Sequence, residues 1–204
     1  MKKKIVSLVL VFALALALGI GGTVAWLTAT SNNVTNTFTV GDINISMDET
    51  GATGTTDLTK AYNFIPGQPL IKDPTVTVEE NSAACWLFVK ITPSHNTYTG
   101  LTGDIIQWSI DDSESWQKLT GVDNVWYISV DAATAKSGKT YNVLKDKQVI
   151  VNGNLTEEMA DAIRSNNKPV LAFNAYAIQS EYLNDGSGNV TTAAAAWALL
   201  NTQP

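Results

Sequence analysis

Residues 84–92, Ala-Cys-Trp-Leu-Phe-Val-Lys-Ile-Thr, are apolar on both faces of an extended chain: Cys85, Leu87, Val89 and Ile91 fall on one side, Trp86 and Phe88 on the other. A strand without a solvent face has to lie inside a sheet that is covered above and below. Residues 170–179 make the same demand, because Leu171, Phe173, Ala175 and Ala177 alternate with Val170, Ala172, Asn174, Tyr176 and Ile178 behind Pro169. Shorter β patterns surround these two at residues 75–79, 104–110, 125–130 and 148–151, and Trp116 falls on one more. Residues 37–47, with Phe38, Val40, Ile43 and Ile45, read as a first strand bulged at Gly41-Asp42. Residues 48–60, rich in Gly and Thr, read as a mobile loop closed by the Pro66-Gly67 turn. Many short strands separated by turn residues predict a mainly β chain folded as a sandwich.

One or two short helices complete the expectation. Thr156 supplies a hydroxyl N-cap, Glu157 and Glu158 sit in the first turn, and Met159, Ala160 and Ile163 form the apolar stripe of a crossover helix. Thr191-Thr192 cap an Ala-rich helix running through Leu200, with Trp197 and Leu200 spaced to dock on the body.

The N-terminus reads as an export signal. Lys2, Lys3 and Lys4 precede an apolar run from Ile5 to Ile20, and Thr23-Val24-Ala25 offers the small residues a signal peptidase needs. Gly19, Gly21 and Gly22 break the helix just before it, so cleavage is expected between Ala25 and Trp26. The alternative is an uncleaved membrane anchor, since an apolar stretch of roughly 20 residues spans a bilayer. Residues 26–204 then form a single domain, with 26–37 as an N-terminal extension, secreted to the cell surface or an extracellular matrix.

The formal net charge of −6 becomes −9 once Lys2, Lys3 and Lys4 leave, which excludes nucleic acid as a partner. Cys85 is the sole cysteine, so no internal disulfide can form and packing must carry the fold. Its apolar neighbours mark it as a small buried hydrophobe.

Catalytic patterns are absent from the sequence. A zinc peptidase of the usual kind needs two His one helical turn apart with a general-base Glu, or an equivalent three-ligand set. The chain has one histidine, His95, in the loop Pro93-Ser94-His95-Asn96-Thr97. No Gly-x-Ser-x-Gly elbow is present, and the side chains of the pairs Glu79-Glu80, Asp111-Asp112 and Glu157-Glu158 diverge on strand or helix. No catalytic residue, resident metal or cofactor is therefore predicted. Asn184-Asp185-Gly186-Ser187 could present oxygens to calcium at Asp185, but it lacks the alternating carboxylates of an EF-hand and reads first as a turn. Trp86, Trp108, Trp116 and Trp126 serve either a core or a glycan-stacking surface.

Several of these motifs together carry a family resemblance. The boundary Gly21-Gly22-Thr23-Val24-Ala25-Trp26-Leu27-Thr28, the segment Asn36-Thr37-Phe38-Thr39-Val40-Gly41, the turn Ile65-Pro66-Gly67-Gln68-Pro69 and the strand Cys85-Trp86-Leu87-Phe88-Val89-Lys90-Ile91 resemble the TasA and camelysin family. Phe173-Asn174-Ala175-Tyr176-Ala177-Ile178-Gln179 with Ala195-Ala196-Trp197 is similar to its clostridial branch, while residues 92–154 match no motif of it. The resemblance implies a jelly-roll-like sandwich, export by a SipW-type signal peptidase, and extracellular fibres of a biofilm matrix. It also implies that the mature N-terminus, Trp26, Leu27, Thr28 and Val34 included, acts as a donor strand to the next subunit, with or without an accessory matrix protein. A metallopeptidase activity belongs to the camelysin side of the same resemblance, and a cell-wall or glycan-binding module is the further alternative. Mass spectrometry of the secreted protein is expected to return Trp26 as the first residue; a chain retaining Met1 fits the anchor instead.

Overall fold

A computed structural model describes residues 28–30, 42–53, 62, 65–165, 168–183 and 188–201. Its centre is an antiparallel pair, β5 (Cys85–Ser94) and β11 (Val170–Gln179), matched over ten positions from Cys85 opposite Gln179 to Ser94 opposite Val170. β8 (Val125–Val130) pairs with the other side of β5, β7 (Gln117–Lys118) adds a short edge, and β1 (Thr28–Thr30) lines the outer side of β11. The order of this five-stranded sheet is β1-β11-β5-β8-β7.

Two three-stranded sheets form the second layer: β2 (Ile45–Asp48), β4 (Thr75–Val78) and β9 (Lys139–Asn142) in one, β3 (Pro69–Ile71), β10 (Gln148–Val151) and β6 (Ile106–Gln107) in the other. They are continuous along the backbone. Lys72 N donates to Lys147 O at 2.9 Å and Val143 N to Pro74 O at 3.1 Å, so β3–β4 and β9–β10 are one long antiparallel pair interrupted in the middle. Pro74 has no N–H to donate, and Asp146 and Lys147 turn left-handed, each with φ of 52°, which breaks the ladder at this point. The chain crosses between the layers after β1, β4, β5, β6, β8 and β10, giving an antiparallel β-sandwich.

Both faces of β5 are used. Cys85, Leu87, Val89 and Ile91 join Val76, Val78, Val151, Ala175 and Ala177 in the core between the layers. Phe88 points the other way, into a second cluster with Val125, Ile178 and Trp197. That cluster is roofed by α3 (Ala193–Leu200), whose cap Thr192 accepts from Ala195 N and whose Trp197 meets Phe88 at 5.2 Å and Tyr176 at 5.5 Å between ring centroids. The crossover helix α2 (Glu157–Ser165) buries Ala160 and Ile163, as its stripe requires.

Two expectations need correction, and two more are described only in part. A third helix, α1 (Ala132–Ser137), exceeds the one or two foreseen: Asp131 accepts from Ala133 N and Thr134 N, and the helix stops at Gly138, φ 73°, where a Cβ would come within 3.1 Å of Glu80. Residues 104–110 do not form one strand, and pairing is confined to β6 and an isolated bridge from Ile110 to Leu144. Buried Asn96 stands in for the missing neighbour, accepting from Ile106 N at 2.8 Å and donating to Ile106 O at 2.9 Å. In the expected first strand, Ile45–Asp48 pairs, whereas Phe38 and Val40 lie outside the described residues. The expected loop at 48–60 begins with a turn in which Ala52 N donates to Glu49 O, and residues 54–60 lie outside the described residues.

Two predictions follow from this packing. Asn96→Ala strands a buried N–H and a buried C=O at Ile106, and a loss of about 2 kcal/mol or more is expected in urea denaturation. Burial pushes the Cys85 thiol and the Tyr141 phenol each up to about 12. Both groups therefore hold their protons more tightly folded than unfolded, so their contribution is complete below about pH 9 and lost as pH rises toward 12. The denaturation midpoint should fall across that window, and a thiol reagent at pH 8 should label Cys85 only as the protein unfolds.

Candidate functional site

The outer side of β11 is the sheet edge that the N-terminal segment reaches. An edge strand carries a row of N–H and C=O groups that must be covered or paired. Here β1 covers them in antiparallel register, Thr28 opposite Ile178, Ala29 opposite Ala177 and Thr30 opposite Tyr176. Thr28 is thus brought to the sheet, while Ala25, Trp26, Leu27 and Val34 lie outside the described residues.

The receiving strand is held from both faces. Ala175 and Ala177 are fully buried in the inter-layer core, and Ile178 is fully buried on the opposite face, in the cluster roofed by α3. Tyr176 packs edge-on against Trp197, so α3 steadies the very residues opposite which β1 lies. β11 is rigid backing, and β1 is a three-residue strand laid along it.

The residues present do not fit a zinc-peptidase site. His95 is exposed in a left-handed turn with φ 51°. Among the described residues no group of three or more His, Cys, Asp or Glu side chains could hold a metal ion. The carboxylates have other tasks. Asp111 accepts from Ser113 N, Asp112 pairs with Lys145 at 2.8 Å, which holds its carboxyl below the usual range, and Glu79 accepts from Ser46 Oγ. Glu80, Glu157 and Glu158 face solvent. The thiol of Cys85, buried and raised, is a poor nucleophile.

Trp86, Trp108, Trp116 and Trp126 are buried or half-buried. Trp116 donates its Nε1 to Asn142 O at 2.7 Å, Trp108 and Trp126 meet edge-to-face at 5.3 Å, and Trp86 packs edge-on against Tyr127. Asp185 lies outside the described residues. No helix among the described residues is long and apolar enough to cross a membrane.

One polar cluster was not foreseen from the sequence. Lys72 and Glu49 meet at 2.8 Å with side chains 11 % exposed each, Tyr62 donates to the other Glu49 oxygen, and Lys72 Nζ lies 5.0 Å from the Phe173 ring centroid. Lys72 and Glu49 are 23 residues apart, so no local pattern announces the contact.

No match was found among curated proteins or among solved structures. Residues 1–81 match the family described as camelysin metallo-endopeptidase, which bears out the camelysin resemblance for that part of the chain. Over its first 81 of 204 residues the protein carries the camelysin family pattern.

Proposed function

We propose that this is a secreted structural subunit that polymerises head to tail into extracellular fibres of a cell surface or biofilm matrix. The observation that carries the reading is β1 on the outer edge of β11. A short strand joined to the body by residues 31–41 can leave its own β11 and take the same register on the β11 of another copy. Such an exchange uses identical contacts in cis and in trans, so it costs little at equilibrium. Because the donor and acceptor surfaces differ, the contact is head to tail, and repeated exchange builds an open filament wherever the rotation between subunits does not close a ring.

On this reading a SipW-type signal peptidase cuts between Ala25 and Trp26 and releases the donor, with Trp26, Leu27, Thr28 and Val34 among its residues. Other partners are further copies of the chain and an accessory matrix protein. The family's description as a metallo-endopeptidase favours a second reading, but the described residues offer it no ligand set.

Electron microscopy of the protein beginning at Trp26, beside one beginning at Phe38, tests the fibre reading. Filaments are expected from the first and not from the second, and equal filament formation by both would sink the donor-strand role. A sharper version introduces Ala29→Cys with Ala177→Cys, which stand opposite each other. Filaments should then form under reduction and be lost when oxidation staples β1 to its own sheet. Casein hydrolysis by the purified protein that stops with chelator would support the peptidase reading instead.

A further inference from the structure

The Lys72–Glu49 pair has no task in the fibre reading, yet it is assembled with care. Lys72 Nζ lies 2.8 Å from Glu49 Oε2, and the two side chains are 11 % exposed each. The Tyr62 hydroxyl donates to Glu49 Oε1. Two aromatic rings flank the amine, Tyr62 at 5.4 Å and Phe173 at 5.0 Å from Nζ to centroid. Backbone bonds fix both partners: Lys72 N donates to Lys147 O at 2.9 Å, and Glu49 O accepts from Ala52 N at 3.0 Å. An ion pair shielded from most of the solvent forfeits much of its gain to desolvation, so stability alone is a weak reason for building it.

We propose that Lys72 and Glu49 are a self-modification site and condense to an intramolecular isopeptide bond. The ammonium passes one proton to Oε2, and the freed Nζ attacks Cδ. The Tyr62 O–H on Oε1 stabilises the oxyanion that develops there, as a preorganised donor should. Collapse breaks the Cδ–Oε2 bond, and Oε2 leaves as water with a second proton taken from nitrogen. The Nζ–Cδ amide keeps the third proton, so ammonium plus carboxylate become amide plus water with no oxidant or activating co-reactant. Positioning replaces activation, since the reacting groups are already held in contact. Burial, then the bond to Glu49, raise the Tyr62 pKa, which keeps the phenol protonated as the donor this step needs.

The product would close a covalent loop across residues 49–72 and fasten the end of β2 to the end of β3 against Phe173 of β11. A chain with one cysteine has no disulfide with which to make such a tie.

Intact mass spectrometry of the purified protein, read against the N-terminus it actually carries, is the test. The expected mass is lower than the sequence mass by one water. Tryptic digestion should leave Lys72 uncut and yield a branched peptide joining it to the segment that holds Glu49. Lys72→Arg keeps the charge but offers no nucleophile, and should restore the full mass. Tyr62→Phe should raise the uncondensed fraction several-fold in freshly made protein. A wild-type mass equal to the sequence mass overturns the proposal, as does a water loss that persists in Lys72→Arg.

Discussion

The ten-residue pairing of β5 with β11 is the constraint on which the remaining structure rests. Its register sets small Ala175 and Ala177 opposite Val89 and Leu87, alternating small and large side chains in the inter-layer core. The same register turns Phe88 and Tyr176 outward together, and these make the floor on which Trp197 and α3 settle. A slip of one residue would exchange the two faces and send Phe88 into the inter-layer core. Each layer of the fold is therefore placed by one pair of strands, both apolar on both faces.

Those two strands were legible in the sequence because double-sided apolarity leaves few alternatives to a central position. Residues 125–130 and 148–151 were legible for a related reason, since turn residues bracket them and burial follows. The capped helices announce themselves by Thr156 and Thr192. β9 does not: in Lys139–Asn142 only Tyr141 is buried, so no alternation marks it as a strand. α1 is six residues long, and its signal, Asp131 ahead and Gly138 behind, is a pair of caps without an apolar stripe between them.

Polar residues that act at a distance were least legible. Asn96 replaces a strand neighbour for Ile106, and Asn152 donates to Thr102 O and Asp104 O while accepting from Asn154 N. Together they pin residues 96–105 to the second layer, yet each reads in sequence as an ordinary loop asparagine. The Lys72–Glu49–Tyr62 cluster is hidden for the same reason, since its members come from three segments that only the tertiary fold brings together. Buried polar groups need partners, and the partners are chosen by topology and not by spacing. The candidate site shares this property: Thr28-Ala29-Thr30 has no strand pattern of its own and becomes a strand because β11 offers it an edge.

The two ends of the five-stranded sheet are treated differently, and the difference bears on assembly. At one end β7 is two residues long with Gln117 and Lys118 both exposed, a blunted edge that a further strand cannot readily extend. At the other end β11 runs for ten residues, is held on both faces around residues 175–178, and is matched to β1 over three. On the proposed reading β11 is the acceptor and β1 the donor of an exchangeable contact at this edge. Subunits joined through it would all face the same way along a fibre, so the polarity of the assembly would be set by which edge of a single sheet is capped and which is blunted.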